Sequence, residues 1–534
     1  MKPICARVFC AFFLLIFLFA NFAAFAAKPG VELRLLGSRS TGLFDEGAAE
    51  IVAHDPISQR LFVVNAFNSG IDVLDVSNPA TPTYLFTIDL TPYGDQANSV
   101  DVYNGVVAAA VQADVRTDDG KVVFFDASGN YLNDVPAGAL PDMLTFTPNG
   151  ERVLVANEGE PSSYGEPDSV DPLGSITIVD MRSGVANATS ENIDFSEFNN
   201  APLDPSIRIY GPGSTVAQDI EPEYIAVDHN SKTAWVTLQE NNAIAVIDIK
   251  SATITKLVGL GFKDYSSGEN KLDASDEDGP GDSAAINIAN WPVFGMYQPD
   301  SIASFKYKNE TFLITANEGD AREYDGFEEE VRVKSSSYIL DPFIFPNAAT
   351  LKMDANLGRL NVTNATGDID GDGDFDAIYT LGGRSFSIWN ADGEQVYDSG
   401  DDIEQLTAIR YPLNFNAGNT DNDLDSRSDN KGPEPESVTI GKAYGRTYAF
   451  VGLERVGGIL VYDVTNPYQV QFIQYINNRD FNFDPEDQLD EAGDLGPEGV
   501  HFITEDDSPT GVPLLAVANE ISGTTTLYEF VQVR

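Results

Sequence analysis

Two runs of alternating aspartates in this sequence have the spacing that holds a hard cation. The stretch DIDGDGDFD sets Asp368, Asp370, Asp372 and Asp376 at the first, third, fifth and ninth places of a calcium loop, with Gly373 at the sixth. Alternation aims successive carboxylates at one ion, and the glycine permits the tight turn. No Glu stands at the twelfth place, so a dockerin-like or stand-alone loop is expected rather than an EF-hand; the alternative is a solvated acidic turn. A second run, DNDLDSRSD, repeats the spacing with Asp421, Asp423, Asp425 and Asp429, but with Ser426 where the glycine would be. A third cluster, Asp273, Asp276, Glu277, Asp278 and Asp282, is irregular and reads as a charged surface loop.

A larger set of acids recurs with the chain itself. One pattern appears seven times: an opening strand, a short turn, a second strand ending in Asn, Gln or Glu, and a third strand ending in an Asp-containing turn. Its first copy is AEIVAHDPISQRLFVVNAFNSGIDVLDVSNP, whose β-branched alternation and Asp-Pro and Asn-Pro punctuation are strand and turn signals. Short strands recurring about every 40–50 residues predict an all-β chain, a seven-bladed β-propeller. The strand VELRLLGS supplies the fourth strand of the seventh copy and closes the ring. The expected organisation is one propeller over residues 27–534, with an insertion, 319–375, inside blade five.

In such a blade the inner strand begins, and the second strand ends, at the same rim. The opening positions are read as Glu50, Ser99, Asp142, Glu223, Asp300, Glu436 and Glu498. The second strands end in Asn65, Gln112, Asn157-Glu158, Gln239-Glu240, Asn317-Glu318, Glu454 and Asn519-Glu520. These residues either cap strand ends between blades or form a ring of oxygen donors at the channel mouth. Hard oxygen donors without cysteine or a histidine cluster suit Ca²⁺ or Mg²⁺ better than Zn²⁺. Long acidic insertions (159–174, 184–219, 257–297, 319–375, 401–432, 478–495) are all expected on the carboxylate face, where variable loops usually carry function. Arg322 and Arg455 follow second strands directly; they would clamp an anion beside a metal, or pair with Glu318 and Glu454.

Composition limits the partners. Against 83 acidic side chains stand 32 basic ones, a formal charge of −51, which excludes a nucleic-acid backbone as a natural partner. The first 26 residues have a basic start, an apolar run and an Ala-Phe-Ala cleavage site, the form of a secretory signal. Its removal takes Lys2, Arg7 and both cysteines, Cys5 and Cys10, leaving a chain of charge −53 without disulfides. No later stretch has the apolar length of a membrane span. A secreted or periplasmic monomer is expected. Only His54, His229 and His501 exist, none in a G-x-S-x-G context, and no Walker or dinucleotide loop appears, so a triad hydrolase and an organic cofactor are not indicated.

The segments NIANWPVFGMYQPDSIASF, TANEGDAREYDGFEEEVRV, GPEPESVTIGKAYGRTYAFVGLERVGGILVYDVTNP and LGPEGVHF closely resemble the choice-of-anchor I family, across about residues 31–534. The resemblance implies an exported β-propeller, often with a separate C-terminal surface anchor; some members are labelled alkaline phosphatase. This chain ends in YEFVQVR just after its last strand, so release or periplasmic residence is expected over wall attachment. Two functions follow: a calcium-binding propeller that takes a ligand, glycan or protein at its acidic rim, or a metal-dependent phosphoesterase whose rim carboxylates hold Ca²⁺.

Overall fold

The computed structural model describes residues 30–533, so the expected secretory signal lies outside the described residues. Seven antiparallel sheets of four strands make the body of the molecule. The first comprises Val52–Asp55, Arg60–Asn65, Gly70–Asp75 and Thr83–Asp89, hydrogen-bonded in that order from the inside outward. The second and third strands of each sheet are buried on both faces and are therefore continuously apolar, as in VVAAAV and LLAVAN, whereas fourth strands such as TSENID are half in water.

The core lies between sheets. Leu154, Ile176 and Ile178 of the third sheet pack on Ile225, Val236 and Ile247 of the fourth. Equivalent clusters join the first sheet to the second, the fifth to the sixth, and the seventh to the first through Val52, Leu61, Leu514 and Leu527. First strands touch in sequence, and the seventh touches the first, which closes the ring of a β-propeller. The N-terminal strand Gly30–Ser40 pairs antiparallel with Thr524–Val533, as the outermost strand of the seventh sheet. That pairing covers the edge that Thr524–Val533 would otherwise expose at the seam between chain ends.

In every blade the connections after the second and fourth strands leave on one side of the ring, and all the long insertions are among them. The blade-five insertion runs from Glu318 to Arg384, past the 319–375 read from the sequence. With the preceding connection it builds a further sheet: Phe262–Asp264, Phe294–Met296, Tyr379–Thr380, Asn361–Thr363 and Glu330–Arg332. Tyr265, Leu272, Val293, Tyr338, Leu357 and Ile378 give that sheet its own core. The connection after blade five also holds a nine-residue helix, Asp402–Arg410, with Ile403, Glu404 and Thr407 buried. Among the described residues no helix is long and apolar enough to cross a membrane.

Candidate functional site at the channel mouth

The rim acids are positioned by a repeated turn. Five first strands begin at, or three residues after, a proline followed by an acid: Pro141-Asp142, Pro222-Glu223, Pro299-Asp300, Pro435-Glu436 and Pro497-Glu498. Four of the residues before these prolines are left-handed, with φ of 49° at Leu140, 41° at Gln298, 49° at Glu434 and 66° at Gly496. A residue before proline normally prefers an extended backbone, so this geometry is held by what it achieves. The carbonyls of Leu140, Gln298, Glu434 and Gly496 accept the N–H groups of Glu158, Gly319, Glu454 and Glu520 at 3.0, 3.1, 2.9 and 2.7 Å. Each of these bonds ties a strand opening to the end of its second strand. In blades three, six and seven the proline faces the last residue of the second strand, and the register breaks immediately afterwards. The acid therefore sits in a bulge, which re-aims its side chain out of the ladder.

Blade two corrects the sequence register by one residue. Ala97 faces Val111 and the break follows it, so Asn98, not Ser99, occupies the acid's place. Ser99 is a joint between blades: its Oγ accepts the N–H of Leu144 at 3.2 Å, as Ser301 Oγ accepts that of Val438 at 3.2 Å. The two kinds of second-strand ending also separate. Asn157 donates to the Ser175 and Thr177 hydroxyls, Asn317 to those of Ser385 and Ser387, and Asn519 to Thr524. These asparagines fasten third strands, while the glutamates after them face the mouth.

Glu50, Asp142, Glu158, Asp300, Glu498 and Glu520 line a cavity of about 370 Å³ at the channel mouth. Burial, then repulsion from Glu520 and Asp142, lifts the Glu50 carboxyl to about 8. Burial and Glu160 lift Asp142 to about 7, and burial and Asp320 lift Glu240 to about 8. Glu158, Glu223, Asp300, Glu436 and Glu498 move in the same direction for the same reasons.

Two acid triads at this mouth differ in the counter-charges the protein supplies to them. Glu318, Glu434 and Glu454 bring ligand atoms within 4.8 Å of one another, but the protein neutralises them itself. Lys431 pairs with Glu318 and, at 3.3 Å, with Glu434. Arg427 and Arg455 reach Glu434 at 2.7 and 2.9 Å, and Arg455 reaches Glu454 at 2.9 Å. Although burial alone would raise Glu434, Lys431, Arg455 and Arg427 hold it down at about 2. Asp142, Glu158 and Glu223 also converge within 4.8 Å. Arg116 lines the cavity together with Asp142 and Glu158 and pairs with Glu160.

Of the two expected anion clamps, neither guanidinium is free. Arg322 is 2% exposed, sits over the Tyr210 ring, and pairs with Asp219 and Glu221, both at 3.1 Å. It fastens the blade-five insertion to the connection ahead of blade four. Arg455 pairs with Glu454, as the alternative reading allowed, and with Glu434. Sequence reasoning missed Lys431, Glu434 and Arg116; the repeated Glu-Pro-Glu of residues 221–223 and 434–436 was the available signal for Glu434.

The aspartate runs fare differently. Asp368, Asp370 and Asp376 converge within 4.8 Å, and Asp376 also belongs to a second triad with Asp341 and Asp374. Asp368 accepts the N–H groups of Gly371 and Gly373, whose φ of 78° and 100° suit glycine. Asp372 stands outside both triads. Asp421, Asp423, Asp425 and Asp429 do not assemble around one point. Asp421 accepts from Asp423 N–H and Ser426 Oγ, Asp429 is held by Arg332 and Arg359, and Asp425 turns inward. Without glycine at the sixth place the four carboxylates of the run turn to different neighbours and share no common centre.

The profile of the choice-of-anchor I domain matches residues 50–467. The chain belongs to the choice-of-anchor I family. Among curated relatives, it is 33% identical over 189 residues to gigasin-3a of Magallana gigas, covering 34% of this chain and 66% of that protein. It is 27% identical over 284 residues to the mesenchyme-specific cell surface glycoprotein of Strongylocentrotus purpuratus, covering 47% of this chain and 35% of that protein. The chain thus spans under two thirds of one relative's length and about a third of the other's. Solved structures that it resembles include the Cps50 (Swd1) β-propeller domain of Myceliophteria thermophila, with TM-score 0.42, 9% identity and 93% and 99% of the two chains covered. Hydrazine synthase of Kuenenia stuttgartiensis gives TM-score 0.44, 11% identity and 92% and 96% coverage. The choice-of-anchor I segment contains both rim triads and the aspartate runs, while Glu498 and Glu520 lie beyond it.

Proposed function

We propose that this choice-of-anchor I protein is an extracellular or surface-located β-propeller that binds Ca²⁺ at its channel mouth and recruits an oxygen-rich ligand, a glycan or an acidic protein segment, through the bound ion. The family and its cell-surface relative support the location. The observation that carries the binding reading is the convergence of Asp142, Glu158 and Glu223 beside a half-enclosed cavity that the first two line, while the neighbouring triad is occupied by Lys431, Arg427 and Arg455. Three carboxylates that repel one another are relieved by protons or by a cation, and oxygen donors of this number suit calcium. The ion's remaining positions would face the cavity, where a ligand's hydroxyl or carboxylate oxygens complete the shell.

The test is calorimetric titration of Ca²⁺ into the wild type, Asp142→Asn and Glu223→Gln, followed by glycan-array binding with and without Ca²⁺. Loss of one binding event in both variants, with Ca²⁺-dependent glycan or peptide retention by the wild type, is expected. Unchanged calcium binding in both variants would refute the site. Arg116 favours a second reading, a metal-dependent phosphoesterase, because a cation beside a metal triad can hold a phosphate oxygen. Calcium-dependent turnover of a phosphomonoester or phytate that is lost in Arg116→Ala would select it; no turnover would exclude it.

A further inference from the structure

A second place in the molecule gathers carboxylates without the charges to balance them, away from the channel. Asp273 comes from the connection between blades four and five, and Asp425 from the connection between blades five and six; both are 0% exposed. Asp273 takes the backbone N–H of Asn287 on one oxygen and leaves Oδ1 buried with no hydrogen-bond partner. Asp425 takes the Ser428 hydroxyl on Oδ1 and leaves Oδ2 likewise. Both oxygens of Asp278 are buried and unpartnered. Asp278 and Asp425 lie near the same backbone N–H, that of Ala285, and Asp425 is the strongest charged neighbour of Asp273, although their oxygens do not all come within 4.8 Å of one another as those of the rim triads do. Asn416, whose Oδ1 is also buried without a partner, joins them through Ser428, donating to its Oγ at 2.8 Å.

Three arginines stand close by, and each is used elsewhere. Arg384 pairs with Glu404 at 2.7 Å, Arg359 with Asp276 at 2.7 Å, and Arg332 with Asp429 at 2.6 Å. Asp273, Asp278 and Asp425 are left without a cation. An isolated buried carboxylate is far too costly to leave uncompensated. A hard dication accepts several carboxylate and amide oxygens at once, which is what the orphaned atoms offer.

We infer that Asp273, Asp278 and Asp425 form a buried Ca²⁺ site, with the Asn416 amide oxygen available as a further ligand, that ties the connection after blade four to the connection after blade five. It is distinct from the rim triad and from the DIDGDGDFD loop, and stands whether or not the rim binds an ion. Neither aspartate run shows it in sequence, because its ligands come from two segments about 150 residues apart.

The test rests on a reversal of sign. Asp425→Asn removes repulsion when no ion is present and removes a ligand when one is. Its melting temperature in chelator should equal or exceed that of the wild type, and in millimolar Ca²⁺ should fall below it, with one fewer ion bound per chain by equilibrium dialysis. Glu223→Gln, at the rim, should retain this ion and the Ca²⁺-dependent protection of residues 266–290 from limited proteolysis. An Asp425→Asn chain less stable than wild type in chelator, or one with undiminished ion count, would overturn the inference. If the variant does not fold, a wild-type crystal soaked in Tb³⁺ decides the matter: an anomalous peak among the three aspartates supports the site, and its absence there refutes it.

Discussion

Lys431 shows how one side chain divides the rim into two chemistries. It is 7% exposed and is held between Glu318 and Glu434. Burial disfavours its charge, but Glu318, Glu434 and Asp320 keep it protonated. Removing one partner of such a pair leaves the other charge buried alone, so Lys431→Met should cost about 3–5 kcal/mol in denaturant unfolding. Adding Glu318→Gln should restore part of that loss, a non-additivity that a double-mutant cycle measures directly. The acids around Lys431 were legible in the sequence because the repeat places one at each strand opening. The lysine was not, since it lies in an irregular connection far from any repeat position. Arg322 was misread for a related reason: its position after a second strand was visible, but its partners Asp219 and Glu221 precede blade four, about 100 residues earlier.

At the scale of the strand, the working unit is a left-handed residue, a proline and an acid in a bulge. Gly496 occupies the first place in blade seven, and a Cβ there would meet Ile521 Cγ1 at 2.7 Å. Gly496→Ala combines that clash with a backbone cost of roughly 1–2 kcal/mol and should destabilise by about 2–3 kcal/mol in chemical denaturation. The alternation of strands and the repeated Pro-acid pair made the sheets and their common face readable. The bulge was not readable, because adding one residue leaves composition unchanged, and so Ser99 was taken for Asn98. The sheet built from the two insertions was equally hidden. Its strands are two or three residues long and pair across distant segments, with Phe294–Met296 parallel to Tyr379–Thr380.

For the molecule as a whole, the crowded rim makes stability depend on pH in an unusual direction. Glu50, Glu240 and Glu454 near 8, and Asp142 near 7, retain protons in the folded state that the unfolded chain releases near 4. Between about pH 4.5 and 8 the folded protein binds more protons, so stability falls as pH rises through that window. In chelator, the melting temperature should therefore decline from pH 5 to pH 8.5, with a shallower slope in Asp142→Asn. Calcium should flatten the decline and release protons on binding, seen as a buffer-dependent heat. Closure of the ring carries a consequence of another kind. Gly30 faces Val533, whereas Ser40 faces Thr524 beside the second-strand end at Asn519. The two ends of the described chain thus emerge together on the side opposite the carboxylates. A tether introduced at Gly30 or Val533 would therefore join the molecule on the side away from its acidic mouth.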